Sequence, residues 1–216
     1  MPENLDLKRE VFGIIGREAP PHAVLASNTS TYNIMAEVET AIAPRTLITH
    51  FFNPAQLIPL VEVVRGEATE QAAVDTAVDL MRTLGKVPIV INKYLPGFVV
   101  NRFQLVFNGM AYALLAEGVL EPEEIDRAIE ASIGLRLAAN GPFATMDMGG
   151  LGTAAASARS MGVEPPAILQ DKVSCGELGV KTGKGFYDYC GLCEDDVLAR
   201  RDRRLMRLLE AWRRSD

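Results

Sequence analysis

The chain has 216 residues, enough for one good core or two small ones. Hydrophobic residues make up 48% and charged residues 23%, and the net charge of −6 argues against a nucleic-acid binder, which would show a basic face. No apolar run approaches the roughly 20 residues a bilayer demands, the opening MPENLDLKRE is no signal peptide, and three cysteines point to a reducing, cytoplasmic compartment.

Residues 4–17 place Leu5, Val11, Phe12 and Ile15 near helical spacing, and Pro20 and Pro21 stop that helix. The apolar run at 23–27 reads as a buried strand ending in the polar stretch NTST, with a short helix expected at 32–38. Residues 45–52 and 60–66 are the second and third strand candidates. A helix over 69–85 closes on Gly85 as its C-cap, and 87–91 is the fourth strand. Strands alternating with helices predict an α/β layer with a mostly parallel sheet.

The character changes at residues 93–103. Beyond them the pattern predicts helices only, at 98–117, 122–132, 142–149, 151–161, 166–176 and 195–213, with glycines and prolines at the joins. The last carries Leu198, Leu205, Leu208, Leu209 and Trp212 on one side and arginines elsewhere, an amphipathic helix with a solvated basic face. The expected organisation is therefore an α/β domain at 1–94 and an all-helical domain at 95–216. A lone CxxC at Cys190 and Cys193 has no second pair and no nearby histidine, so no metal site is expected.

One stretch poses a physical question. In HFFNPAQLIPLVEVV, residues 50–64, Glu62 interrupts an apolar run, and a buried carboxylate costs several kcal/mol unless it is paired. His50, twelve residues earlier, is the nearest good candidate. If its Nδ1–H points at Glu62, the carboxylate fixes the tautomer and leaves Nε2 to accept a proton from an alcohol. An unperturbed pKa of about 6.5 suits such a base. Ser27, Asn28, Thr29 and Ser30 follow a strand directly, as a ligand loop or as a helix N-cap. Asn53 precedes Pro54 and has an alternative reading as a turn residue. Asn101 stands in GFVVNRF where the helical register is otherwise apolar, so it needs a polar partner. His22 reads as a surface-loop residue.

The segments ASNTS, HFFNP with LVEVV, LGKVPIVI, PGFVVNR and KTGKGFYDY together resemble the 3-hydroxyacyl-CoA dehydrogenases, over almost the whole chain and in order. The resemblance implies a Rossmann-like domain followed by a helical dimerisation and substrate domain, a homodimer, NAD as cofactor and a hydroxyacyl-CoA or related hydroxy acid as substrate. It implies His50 as general base, Glu62 as its orienting acid, and Ser30, Asn53 and Asn101 at the substrate. Asn28 and Ser30, with Glu3 and Lys8, would approach the nicotinamide and its ribose. KTGKGFYDY is assigned structure, not catalysis.

Two departures accompany the resemblance. Family members open on a strand, a GxGxxG turn and a helix, and this sequence contains no GxGxxG; Gly13 and Gly16 fall inside the first expected helix. The chain is accordingly expected to be truncated, to assemble with a separate nucleotide-binding chain or with itself, or to be a catalytically silent helical dimerisation or acyl-binding module. NAD binding is expected to be weak or absent without that loop. The second departure, SIGLRLAANGPFATMD at 132–147, leaves CoA ester and free hydroxy acid both open as substrates.

Overall fold

The computed structural model describes residues 4–213. Contacts within the chain gather into two units, Met1–Tyr112 and Ala113–Asp216, and the last strand ends at Ile91. In the first unit, helix α1 (Leu5–Glu18) begins where the Asn4 side chain accepts a hydrogen bond from Leu7 N–H at 3.0 Å. Strands β1 (Leu25–Ser27), β2 (Thr46–Phe51), β3 (Leu60–Arg65) and β4 (Val87–Ile91) form a four-stranded sheet in the order β1-β2-β3-β4. Two of the three pairings are parallel; β2 and β3 run antiparallel.

Strand alternation sorts the side chains onto two faces. Leu47, Val61 and Val63 pack with Ala73, Val74, Ala77, Val78 and Met81 of helix α2 (Gln71–Thr83), and Gly85 at φ 72° ends that helix as the sequence implied. Ile48 and Val64 point the other way, into a cluster with Phe12, Leu25, Ile34, Met35, Ile42 and Phe98. By the same period of two, His50 and Glu62 share that second face.

The helix expected at 32–38 contracts to a single 3₁₀ turn, Ile34–Ala36. The Thr29 hydroxyl accepts from the N–H groups of Tyr32 at 3.1 Å and Thr31 at 3.4 Å, a local turn that competes with helix formation just upstream. A second 3₁₀ turn, Ala43–Arg45, precedes β2.

Helix α3 (Val100–Ala116) starts two residues later than expected, because Gly97 and Phe98 adopt φ of 74° and 48°. Phe98 is fully buried despite that left-handed backbone. The second unit holds α4 (Pro122–Ala128), α5 (Leu135–Ala139), α6 (Pro142–Gly149), α7 (Leu151–Ser160), α8 (Ala167–Ser174) and α9 (Glu194–Arg213). The helix expected to end at 132 instead continues through a π turn at Ile129–Gly134 into α5; the Ser132 hydroxyl bonds back to the Ala128 carbonyl, which loosens the ladder there.

The motif KTGKGFYDY folds around one buried carboxylate. Asp147 accepts from Phe186 N–H and Tyr187 N–H, each at 2.9 Å, and from the Tyr189 hydroxyl at 3.1 Å. Burial, then the Asp147 charge, pushes the Tyr189 phenol well above its ordinary value. Leu151, Ala155 and Leu169 form the core beside it.

Candidate active site

His50 and Glu62 are direct cross-strand partners in the antiparallel β2–β3 pair. Opposite residues of such a pair project to the same side within a few ångströms of each other, so twelve residues of sequence collapse to a hydrogen bond. His50 Nδ1 lies 2.8 Å from Glu62 Oε2, with Glu62 fully buried and His50 5% exposed. A carboxylate only accepts, so a neutral ring that bonds it through Nδ1–H would keep the Nε2 lone pair.

Glu62 has a second set of partners. Its Oε1 accepts from Val99 N–H at 3.0 Å and Val100 N–H at 3.1 Å. These are donors at the start of α3 that the helix itself leaves unused, and the end of the helix dipole favours a negative charge there. The turn at Gly97 and Phe98 aims them. Phe98 and Phe52 then pack their rings on the imidazole, edge-on, at centroid distances of 5.2 and 4.6 Å. Between the carboxylate and two aromatic rings the imidazole has one orientation.

His50 lines a cavity of about 730 Å³, together with Asn28, Ser30, Asn53 and Asn101. Phe103, Gln104 and Phe107 of α3 and Ile58 and Leu60 add a largely apolar wall. Asn28 is exposed, and its Oδ1 accepts from Phe51 N–H at 2.9 Å, tying the loop after β1 to the end of β2. Ser30 and Asn101 are half-buried; Asn53 is exposed and joined to Pro54 by a cis peptide bond.

Lys8 lies apart from this cavity, 4% exposed on α1, and Glu3 falls outside the described residues. His22 is exposed in the turn before β1. Missed in the sequence reading were the two N–H donors of α3, the flanking phenylalanines and Gln104. The glycine before Phe98 was the one available signal for the donors. Among the described residues no three histidine, cysteine or acidic side chains gather to hold a metal ion, and the thiols of Cys175, Cys190 and Cys193 are free and exposed. No helix among them is long and apolar enough to cross a membrane.

Comparison with known proteins gives this geometry a lineage. A family model described as "3-hydroxyacyl-CoA dehydrogenase, NAD binding domain" matches residues 1–94, and one described as "3-hydroxyacyl-CoA dehydrogenase, C-terminal domain" matches residues 97–189. The chain belongs to the 3-hydroxyacyl-CoA dehydrogenase family. It is an oxidoreductase-family chain whose sheet unit is Rossmann-like and of the NAD-binding type.

A 5-formyl-3-hydroxy-2-methylpyridine 4-carboxylate 5-dehydrogenase of Mesorhizobium japonicum is 32% identical, over 97% of this chain and 71% of its own length. A 3-hydroxyacyl-CoA dehydrogenase of Gibberella moniliformis is 38% identical over 77% of this chain and 52% of its own. The crystal structure of an Archaeoglobus fulgidus 3-hydroxyacyl-CoA dehydrogenase superposes with a TM-score of 0.85 at 32% identity, covering 98% of this chain and 74% of that one. The chain thus spans between about half and three-quarters of the length of these relatives.

The residues present suit part of the family's cofactor. The carboxyl ends of the parallel strands β1 and β2 bring Asn28, Ser30 and His50 together, where open α/β sheets bind ligands. The GxGxxG turn that cradles a pyrophosphate does not occur in these 216 residues.

Proposed function

We propose that this protein serves the NAD-linked interconversion of a 3-hydroxyacyl-CoA and its 3-ketoacyl-CoA, with His50 and Glu62 as the proton relay. The observation that carries this reading is the 2.8 Å contact between His50 Nδ1 and Glu62 Oε2 at the wall of a cavity. Nε2 of His50 takes the proton of the 3-hydroxyl. Glu62 holds the ring in that tautomer and stabilises the imidazolium that results. Ser30 and Asn101 hydrogen-bond the substrate near the reacting carbon, and Asn53 borders it. NAD, when bound, accepts the hydride.

Asn28 and Ser30 would hold the nicotinamide side of the cofactor, with Glu3 and Lys8 the further residues that the family likeness assigns to it. Without a GxGxxG turn among its residues, this chain alone binds NAD weakly. Its odd cysteine count and free thiols support a reducing, cytoplasmic setting. A homodimer is part of the reading. Along α3 no residue is buried, and Phe103, Leu105, Val106, Met110 and Tyr112 are all more than half exposed. So much exposed apolar surface along one helix belongs in an interface.

A free hydroxy acid is the second reading for the substrate. The relative named for a pyridine carboxylate matches 97% of this chain, and residues 132–147 depart from the fatty-acyl pattern. The test is reduction of acetoacetyl-CoA and of acetoacetate by NADH, each repeated with His50→Ala. Activity on the CoA ester that vanishes in the variant supports the reading, preference for the free acid selects the second substrate class, and activity that survives the substitution removes His50 from the mechanism.

A further inference from the structure

We propose that the helical unit carries a ligand site of its own, a cavity that takes the carboxylate of a short monocarboxylic acid on Arg136 and Arg201. The cavity, of about 310 Å³, is walled by α5, α6 and α9, all within the second unit, and makes no use of the His50 site. That volume is at the small end for organic ligands.

The charges on its wall define what fits. The Arg136 guanidinium of α5 makes no hydrogen bond or ion pair with any described residue, although it borders the cavity. Arg201 of α9 donates through Nε to Asp202 Oδ1 at 2.8 Å, which leaves its two terminal amino groups to offer. Two guanidinium groups against one carboxylate leave a single net positive charge. A singly charged anion balances it; a doubly charged phosphate would overshoot. The planar guanidinium fork also matches a carboxylate's two oxygens.

The remaining wall agrees. Asn140 adds an amide, and Met148 and Leu205 supply apolar surface for a short aliphatic chain. Position is secured from outside the cavity, because Arg204 Nη1 donates to the Ala139 carbonyl at 3.2 Å and pins the end of α5 to α9. Arg201 belongs to the last helix, whose basic side the sequence pattern assigns to a solvated face. Its convergence with Arg136 on one cavity is visible only in the fold.

The experiment titrates the protein with sodium butyrate and follows the Met148 ε-methyl resonance, assigned by Met148→Leu. Butyramide and inorganic phosphate are titrated in parallel. A saturable Met148 shift with butyrate, none with butyramide, weaker binding of phosphate, and affinity for butyrate about tenfold or more lower in Arg136→Gln are the expected results. Arg136 is exposed, so the substitution leaves packing intact, and unchanged resonances of the other methionines report that. Absence of a saturable shift, equal affinity in Arg136→Gln, or phosphate binding as tight as butyrate would each overturn the proposal.

Discussion

Replacing Glu62 by glutamine separates the chemistry of the proposed relay from its packing. The two side chains are nearly isosteric, and the amide oxygen can still accept from Val99 N–H and Val100 N–H. The amide NH₂ then faces His50 Nδ1, across the 2.8 Å now occupied by a hydrogen bond. Two donors cannot share that space, so the ring must move its proton to Nε2, and the nitrogen meant to take a substrate proton is blocked. Loss of the orienting acid in a histidine relay lowers kcat by about 10³- to 10⁴-fold, or about 4–5.5 kcal/mol.

Stability should respond far less. Three charge-assisted hydrogen bonds become neutral at a cost of roughly 1 kcal/mol each, while a fully buried charge worth several kcal/mol of desolvation is removed. The terms oppose, and Tm is expected to shift by only a few degrees. Glu62→Ala differs: it strands two N–H donors and the imidazole beside a cavity, and should cost about 3–5 kcal/mol. The assay is steady-state reduction of acetoacetyl-CoA at NADH concentrations raised until the rate no longer climbs, beside a thermal melt. A Glu62→Gln protein that melts normally and keeps kcat within about tenfold would refute the reasoning.

Three other expectations rest on separate parts of the molecule. A Cβ added at Gly185 would sit 2.1 Å from Asp147 Oδ1, so Gly185→Ala should destabilise the helical unit by about 1–3 kcal/mol in urea unfolding; an unchanged midpoint would mean the KTGKGFYDY segment is not anchored on Asp147. Hydrogen bonds from Lys172 and then Lys184 hold the Glu177 carboxyl down to about 2 from an ordinary 4.5. Because the folded value is depressed, its contribution is complete above about pH 4.5 and fades as pH falls toward 2. Wild type and Glu177→Gln should therefore converge in stability on acidification, and a gap that persists at the acid end would contradict the pairing. Finally, a fluorescence titration of the 216-residue chain with NADH should not saturate below roughly millimolar concentrations, whereas micromolar affinity would show a phosphate cradle that the sequence does not reveal.

The parts of this structure that were legible in advance share a local cause. Proline pairs, a C-cap glycine and a period of two or 3.6 marked α1, α2 and all four strands within a residue or two. His50 and Glu62 were joined because a carboxylate among valines demanded a partner, a demand that burial alone creates. What stayed hidden depends on the backbone at a distance. Beyond Gly97, nothing in the composition of residues 97–100 says that two N–H groups meet an acid 37 and 38 positions earlier. The dual role of Asn28, whose amide oxygen ties two strands, is hidden for the same reason. The short helix expected at 32–38 fails through Thr29, whose hydroxyl takes the Tyr32 N–H from three residues upstream. The continuation of α4 into α5 was missed because Gly134 looks like a stop, while a π turn absorbs it.

The most direct test of the account is the protonation of one ring nitrogen. The chain has only two histidines, and His22 is exposed, so a long-range ¹H–¹⁵N correlation spectrum resolves His50 with His22 as an internal reference. The neutral His50 ring should carry its hydrogen on Nδ1, bonded to Glu62, with Nε2 bare. A neutral ring protonated on Nε2, or one exchanging between both forms, would contradict the account.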